Sequence, residues 1–269
     1  MERLRAEMSP EEILALEDPY FELQAYVGTT KHMGGLQATK EMIEFCHIDE
    51  DSYVLDVGCG AGATPAYLAK QVGCRVVGVD IREQMIALAA ERARRDGVID
   101  RVELQVADAQ DLPFEDGSFD AVMVESVTSF IEDKPRALKE YVRVAKPGGH
   151  VGLNEDTWLK EAPPTELVAY AAHTWGGTTP ETAGGWKDLL EAAGLQRITA
   201  KTYELKAGRE SSQVQRYHFA DMWRMSLRSA RLYLTSAAFR RYMKARMPMP
   251  KGLWQYLGYG IYVGAKAGP

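Results

Sequence analysis

Cysteine is scarce. Cys46, Cys59 and Cys74 are the only three in 269 residues, with no even count and no metal-type spacing. That excludes a disulfide framework and a thiolate zinc site, and leaves reduced, buried thiols as the expectation. Long apolar runs are missing, and none approaches a membrane span. The opening MERLRAEM is rich in charge and lacks a basic-then-apolar leader pattern. A cytoplasmic location is the expectation. H-E-x-x-H and a carboxylate triad are also missing, so no metal is expected. Neither an internal repeat nor a low-complexity tract occurs.

What is present is ordinary for a soluble globular chain. Hydrophobic residues make up 46% and charged residues 26%, and the length suffices for a substantial core. Net charge is −6 but unevenly spread. Residues 201–251 hold twelve Lys and Arg against three Asp and Glu. Such asymmetry suits an anionic ligand, a membrane surface, nucleic acid or solvated helix faces.

SPEEILAL reads as a helix start, with Ser9 as cap, Pro10 in the first turn and Glu12 closing a capping box. ATKEMIEFC reads as a second helix, and DPYFELQAYVGTTKHMGGL between them as loop. From Tyr53 onward, strands and helices alternate. YVLDVG, RVVGVD, RVELQVAD, FDAVMVES and HVGLNED are five strands, and KPGG is a turn before the fifth. Thr64 is placed to cap the helix after the first strand, with Gly73 past its end. QRITAKTYEL and QYLGYGIYVGAKA are the sixth and seventh strands, separated by a helical insertion near residues 214–246. This rhythm predicts an α/β fold: a Rossmann-like three-layer sandwich around a seven-stranded, mostly parallel sheet. The expected organisation is one domain. Residues 1–50 form a helical cover, 51–156 a ligand-binding core, and 157–269 the other half of the site.

The turn after the first strand reads Gly58-x-Gly60-x-Gly62. A phosphate-binding loop needs a Gly-Lys-Ser/Thr ending, and a dinucleotide loop needs its third glycine one residue later. Asp56 at the strand end opposes a phosphate and suits an amine. Asp80, twenty-four residues on, suits a ribose diol. Asp108 follows the third strand, placed to accept from an adenine amino group. Glu125 and Ser126 end the fourth strand. The ligand should resemble an adenosine carrying an amino acid.

VLDVGCGAG, VVGVD, ADAQDLPFEDGSFDAV and VRVAKPGG, in this order and spacing, resemble the class I S-adenosylmethionine-dependent methyltransferase family. HMGGLQATKEM resembles the lead-in segment of its small-molecule members, among them relatives of the quinone and sterol methyltransferases. The resemblance implies S-adenosyl-L-methionine as methyl donor, S-adenosyl-L-homocysteine as product, and a last strand running antiparallel. It implies that Gly58 and Gly60 let the backbone approach the methionine part, with Asp56 supporting that loop. Asp80 would bind the ribose, Asp108 and Ala109 would frame the adenine, and Ile81 and Met85 would wall it. Glu125 would face the methionine end, and Tyr20 and Gly34 would close the site.

Methyl transfer from a sulfonium needs alignment and exclusion of water, and a base only where a proton must leave. His173 and Glu125 are the catalytic candidates; Glu155, Asp156, Tyr170 and His218 are further acceptor-side groups. The expected acceptor is a small molecule, apolar or anionic, under a lid made by the insertion. A nucleic-acid acceptor is disfavoured, because ESVTSF after the fourth strand holds no base-flipping tetrapeptide. The rival readings are an RNA or protein methyltransferase and a catalytically silent cofactor-binding partner. Peripheral membrane contact and homodimer formation are further expectations from the basic segment.

Overall fold

The computed structural model describes residues 9–16, 19–28, 32–174, 178–206, 210–212, 219–246 and 249–268. Three short helices open the chain: α1 (Pro10–Leu14), α2 (Tyr20–Val27) and α3 (Gly35–Phe45). The core then alternates as β1 (Tyr53–Val57), α4 (Ala63–Tyr67), β2 (Arg75–Asp80), α5 (Glu83–Arg95), β3 (Val102–Val106), β4 (Phe119–Glu125), α6 (Lys134–Val144) and β5 (Ala145–Trp158). The rest comprises α7 (Thr165–Thr174), β6 (Glu181–Thr182), α8 (Ala183–Ala192), β7 (Leu195–Glu204), α9 (Phe219–Thr235), α10 (Ala237–Arg246), α11 (Leu253–Tyr256) and β8 (Leu257–Lys266).

The sheet order is β3-β2-β1-β4-β5-β8-β7, with two-residue β6 added alongside the end of β5. β1 pairs in parallel with both β2 and β4, so the strand order reverses at β1. β8 is antiparallel to both β5 and β7, as the family resemblance implies. Side-chain alternation assigns each strand residue to one layer. Leu55, Val57, Val122 and Val124 pack under α6 and α8, against Leu138, Tyr141, Trp186 and Leu190. Val54, Ala121 and Met123 face α3, against Ala38 and Met42. α3 sits so close to β5 that a Cβ on Gly152 would fall 2.7 Å from Cys46 Sγ.

Local expectations fared unevenly. The capping box at Ser9 and Glu12 forms, with bonds of 3.3 and 2.7 Å. The stretch read as loop contains α2, none of whose eight residues is exposed. A helix covered on every side lacks the polar face that periodicity detects. Thr64 is not a cap: Gly62, at φ +73°, holds that position, and Thr64 lies inside α4. KPGG falls within the bounds of β5, but its residues loop out between the pairs Phe119–Ala145 and Ala121–His150, and Gly148 takes φ +81°, the left-handed angle a turn needs there. The insertion forms α9 and α10, which pack on α1 and α2 through Ile13, Leu23, Leu232 and Phe239.

Candidate active site

In open α/β sheets the ligand crevice lies beyond the strand ends where the order reverses. A cavity of about 390 Å³ occurs there, bounded by the loops after β1, β2, β3 and β4 and by α2. Asp56, Gly58, Gly60, Asp80, Ile81, Met85, Asp108, Ala109, Glu125 and Tyr20 all line it. Gly34 does not: it rests on the Tyr259 ring, and its N–H donates to Glu210 Oε1 at 2.7 Å.

The glycine loop spends its donors on the protein. Gly58 and Cys59 N–H both bond Val79 O at 2.8 Å, Gly60 N–H bonds Asp80 Oδ2 at 3.0 Å, and Gly62 N–H bonds Cys59 O at 3.0 Å. Those four groups are therefore not turned outward to cradle a phosphate. Arg92, buried in α5, braces the loop by donating to Ala61 O at 2.9 Å. Arg82 is the one Lys or Arg among the described lining residues. Its Nε donates to Glu22 at 3.2 Å and its guanidinium lies over Phe21. With the cations so placed, the cavity is poor in the charge a pyrophosphate requires.

Asp80 ends β2 with both oxygens fixed, Oδ2 by Gly60 and Oδ1 by Arg82 N–H at 2.9 Å. Its carboxyl is raised above the usual value, chiefly by burial, against the lowering effect of those donors. Asp108 Oδ1 accepts from Gln110 N–H at 2.9 Å, which shapes the turn after β3. Ile81 is half-exposed and Met85 is buried, so the walls between the carboxylates are apolar. A diol acceptor, an apolar slot and a further carboxylate, Asp56, together fit an adenosine bearing an amino acid.

At the end of β4 the structure assembles a cluster that sequence reading did not foresee. Glu125 Oε1 accepts from Thr39 Oγ1 at 2.7 Å, and Oε2 accepts from Thr64 Oγ1 at 2.5 Å. His32 Nε2 stands 3.5 Å from Oε1, both side chains nearly fully buried. The ring is held on its other side as well. Asn154 Nδ2 approaches His32 Nδ1 at 3.0 Å and donates to Met33 O at 3.0 Å, and His32 Nδ1 itself stands 3.1 Å from Met33 O. His32 and Thr64 line the cavity beside Glu125. Ser126, next in the chain, takes φ +56° at the cavity wall, a left-handed conformation uncommon for a non-glycine.

The remaining candidates lie elsewhere. His173 is exposed on the last turn of α7, outside the cavity lining. Glu155 is fully buried and accepts N–H bonds from Val127, Thr128 and Ser129 at 2.8 to 3.1 Å. It shapes the turn that carries Val127 and Phe130 to the cavity, and burial raises its carboxyl. Asp156 is buried, Tyr170 packs beside α11, and His218 is outside the described residues.

Fold and cavity are those of an α/β protein whose strand-end crevice is lined by carboxylates and apolar side chains, with Arg82 as the one described cation. Residues 55–153 match the family model described as a methyltransferase domain. An uncharacterized protein of Haemophilus influenzae is 34% identical over 185 residues, covering 67% of this chain and 73% of that protein. Phosphoethanolamine N-methyltransferase 1 of Arabidopsis thaliana is 35% identical over 66% of this chain, which spans 35% of that protein's length. Phosphoethanolamine N-methyltransferase 2 of Haemonchus contortus, solved with S-adenosyl-L-methionine, superposes with TM-score 0.66 at 18% identity, covering 94% of this chain and 57% of that one. The [4+2]-cyclase SpnF superposes with TM-score 0.68 at 22% identity, covering 92% and 95%. At such identities the likeness is one of fold, and a fold hosts several chemistries. Residues 55–153 thus form a methyltransferase domain, and S-adenosylmethionine, the methyl donor of that family, is one the cavity residues suit.

Proposed function

We propose that this chain methylates an amine nitrogen of a small molecule, with Glu125 as the carboxylate that orients and stabilises that nitrogen. The observation that carries the reading is the clamped Glu125, which lines the cavity with Thr39, Thr64 and His32 directed at its two oxygens. The amine class is supported by phosphoethanolamine N-methyltransferases 30–35% identical to this chain, of whose length it spans about a third. Asp80 and Asp108 would hold the adenosine, and Asp56 with Gly58 and Gly60 the methionine part.

When bound, S-adenosylmethionine would supply a sulfonium methyl group to the neutral amine nitrogen, the nitrogen–carbon bond forming as the sulfur–carbon bond breaks, so that positive charge would pass to the nitrogen. A fixed carboxylate at the nitrogen stabilises the charge as it develops, without reorganising. By accepting the amine N–H, Glu125 also turns the nitrogen lone pair toward the reacting carbon. His32 is a positioning residue here, since it holds Oε1 and is itself held by Asn154. His173 has no part in this proposal, being outside the cavity.

The test is methyl transfer from labelled S-adenosylmethionine to a panel of small amines, phosphoethanolamine included, alongside phenols and thiols. Amines are expected to react, and Glu125→Gln is expected to lower kcat on the order of a hundredfold. S-adenosylhomocysteine affinity should change far less. Turnover only with phenols or thiols would overturn the acceptor class. Unchanged kcat in Glu125→Gln would overturn the assigned role.

A further inference from the structure

The outer face of α9 does not share in the cavity or the core. Leu232 is its buried anchor, and Arg228 Nη1 donates to Tyr26 O at 3.3 Å, tying the helix to α2. Asp221 takes a two-pronged ion pair from Arg95 at 2.6 and 2.7 Å, tying it to α5. Residues three, four and seven apart share a helix face. The face turned away from those ties carries Phe219, Trp223, Leu227 and Leu234, which are 76, 58, 52 and 77% exposed. Arg224 and Arg231 run along one edge of this stripe, and exposed Arg240, Arg241 and Lys244 follow on α10.

We propose that this face docks the protein on an anionic lipid bilayer surface. An amphipathic helix that sets Trp, Phe and Leu beside arginines matches the layered chemistry of a membrane interface. The apolar side chains enter the headgroup–acyl boundary, and the cations meet lipid phosphates. Residues 219–246 hold seven Lys and Arg and one Asp, in a chain of net charge −6, and that Asp is the one paired with Arg95. Among the described residues the stripe's own edge charge, Arg224 and Arg231, is therefore positive, with no acid of α9 or α10 on that edge. An antiparallel two-fold dimer through the same stripe would bring these edge arginines against their own copies, which disfavours that arrangement of a second chain. Nucleic acid would engage the arginines and could stack on Trp223 and Phe219. It has no use for Leu227 and Leu234 on the same face. α2 separates the stripe from the cavity, so docking leaves the residues assigned to the cofactor untouched.

The test is co-sedimentation of the full chain with vesicles, either of phosphatidylcholine alone or of equal parts phosphatidylcholine and phosphatidylglycerol. Binding is expected only with phosphatidylglycerol and should weaken with added salt. Arg224→Glu and Arg231→Glu should each weaken it about fivefold or more, given the usual contribution of a basic residue near such a surface. Trp223→Ser with Leu227→Ser should abolish it, and S-adenosylhomocysteine affinity and thermal melting should stay at wild type. Because both positions are exposed, melting reports directly whether folding is intact. No binding by the wild type, or equal binding to both vesicle types, overturns the proposal. So does a wild-type dimer that Trp223→Ser with Leu227→Ser converts to monomer, or RNA binding that Leu227→Ser alone leaves intact.

Discussion

Asp80 offers the sharpest test of the cofactor assignment, because its two duties separate experimentally. Its oxygens already brace the glycine loop through Gly60 and the start of α5 through Arg82. The ribose assignment adds hydrogen bonds from the cofactor to the same carboxylate. In Asp80→Asn the amide turns one NH2 toward a backbone N–H. A buried donor left unsatisfied costs about 1–3 kcal/mol. For a chain of this size that lowers Tm by about 2–4 °C per kcal/mol. A hydrogen bond to a charged group contributes about 1.5–3 kcal/mol, so losing the ribose bond should weaken binding about ten- to a hundredfold. Calorimetric titration with S-adenosylhomocysteine and a melting curve read the two effects independently. The pH dependence separates them again. Burial raises the Asp80 carboxyl, so the folded state binds that proton more readily than the unfolded chain. Its stabilising effect is present at low pH and is lost as pH rises through the raised value. Ribose binding needs the carboxylate, so affinity increases over the same rise. A variant that melts lower but binds S-adenosylhomocysteine within about threefold of wild type would refute the ribose assignment and leave only the brace.

Other consequences are equally direct. Gly58→Ala places a methyl against Val127 Cγ2 at φ +72°, so cofactor binding should be lost or severely weakened in titration, with a lower melting temperature. Glu155→Leu leaves three buried N–H groups without their acceptor, and a loss of about 3 kcal/mol or more in urea unfolding is expected. The thiols of Cys46 and Cys74 are pushed up to about 12 and about 11 by burial, and Cys59 well above its usual value. Native protein should therefore resist alkylation at neutral pH, with all three labelled after denaturation, as mass spectrometry would show. Thr64→Val removes the 2.5 Å bond to Glu125, and kcat for methyl transfer should fall while S-adenosylhomocysteine affinity holds.

Much of the cavity lining was legible residue by residue. Asp56, Asp80, Asp108 and Glu125 each end or follow a strand, and parallel strands deliver their C-terminal ends to one edge. Spacing along the chain therefore translated directly into neighbourhood in space. His32, Thr39 and Asn154 escaped notice because their meaning lies in contacts across 86 to 122 residues. Thr64 looked like a cap because capping is the local use of such a residue, and Glu125 lies sixty-one positions away. His173 drew attention through its aromatic neighbours in sequence. The turn of α7 points it to solvent.

By itself the sequence determined the strand–helix alternation, the glycine turn and the row of strand-end carboxylates. Each is a local matter of side-chain period, turn geometry or hydrogen-bonding chemistry. Only the tertiary structure decided which way the loop's N–H groups point, which donors hold Glu125, and which face of α9 is left open. Those depend on packing between segments far apart in the chain, where burial and partner geometry choose among roles that local chemistry leaves equivalent.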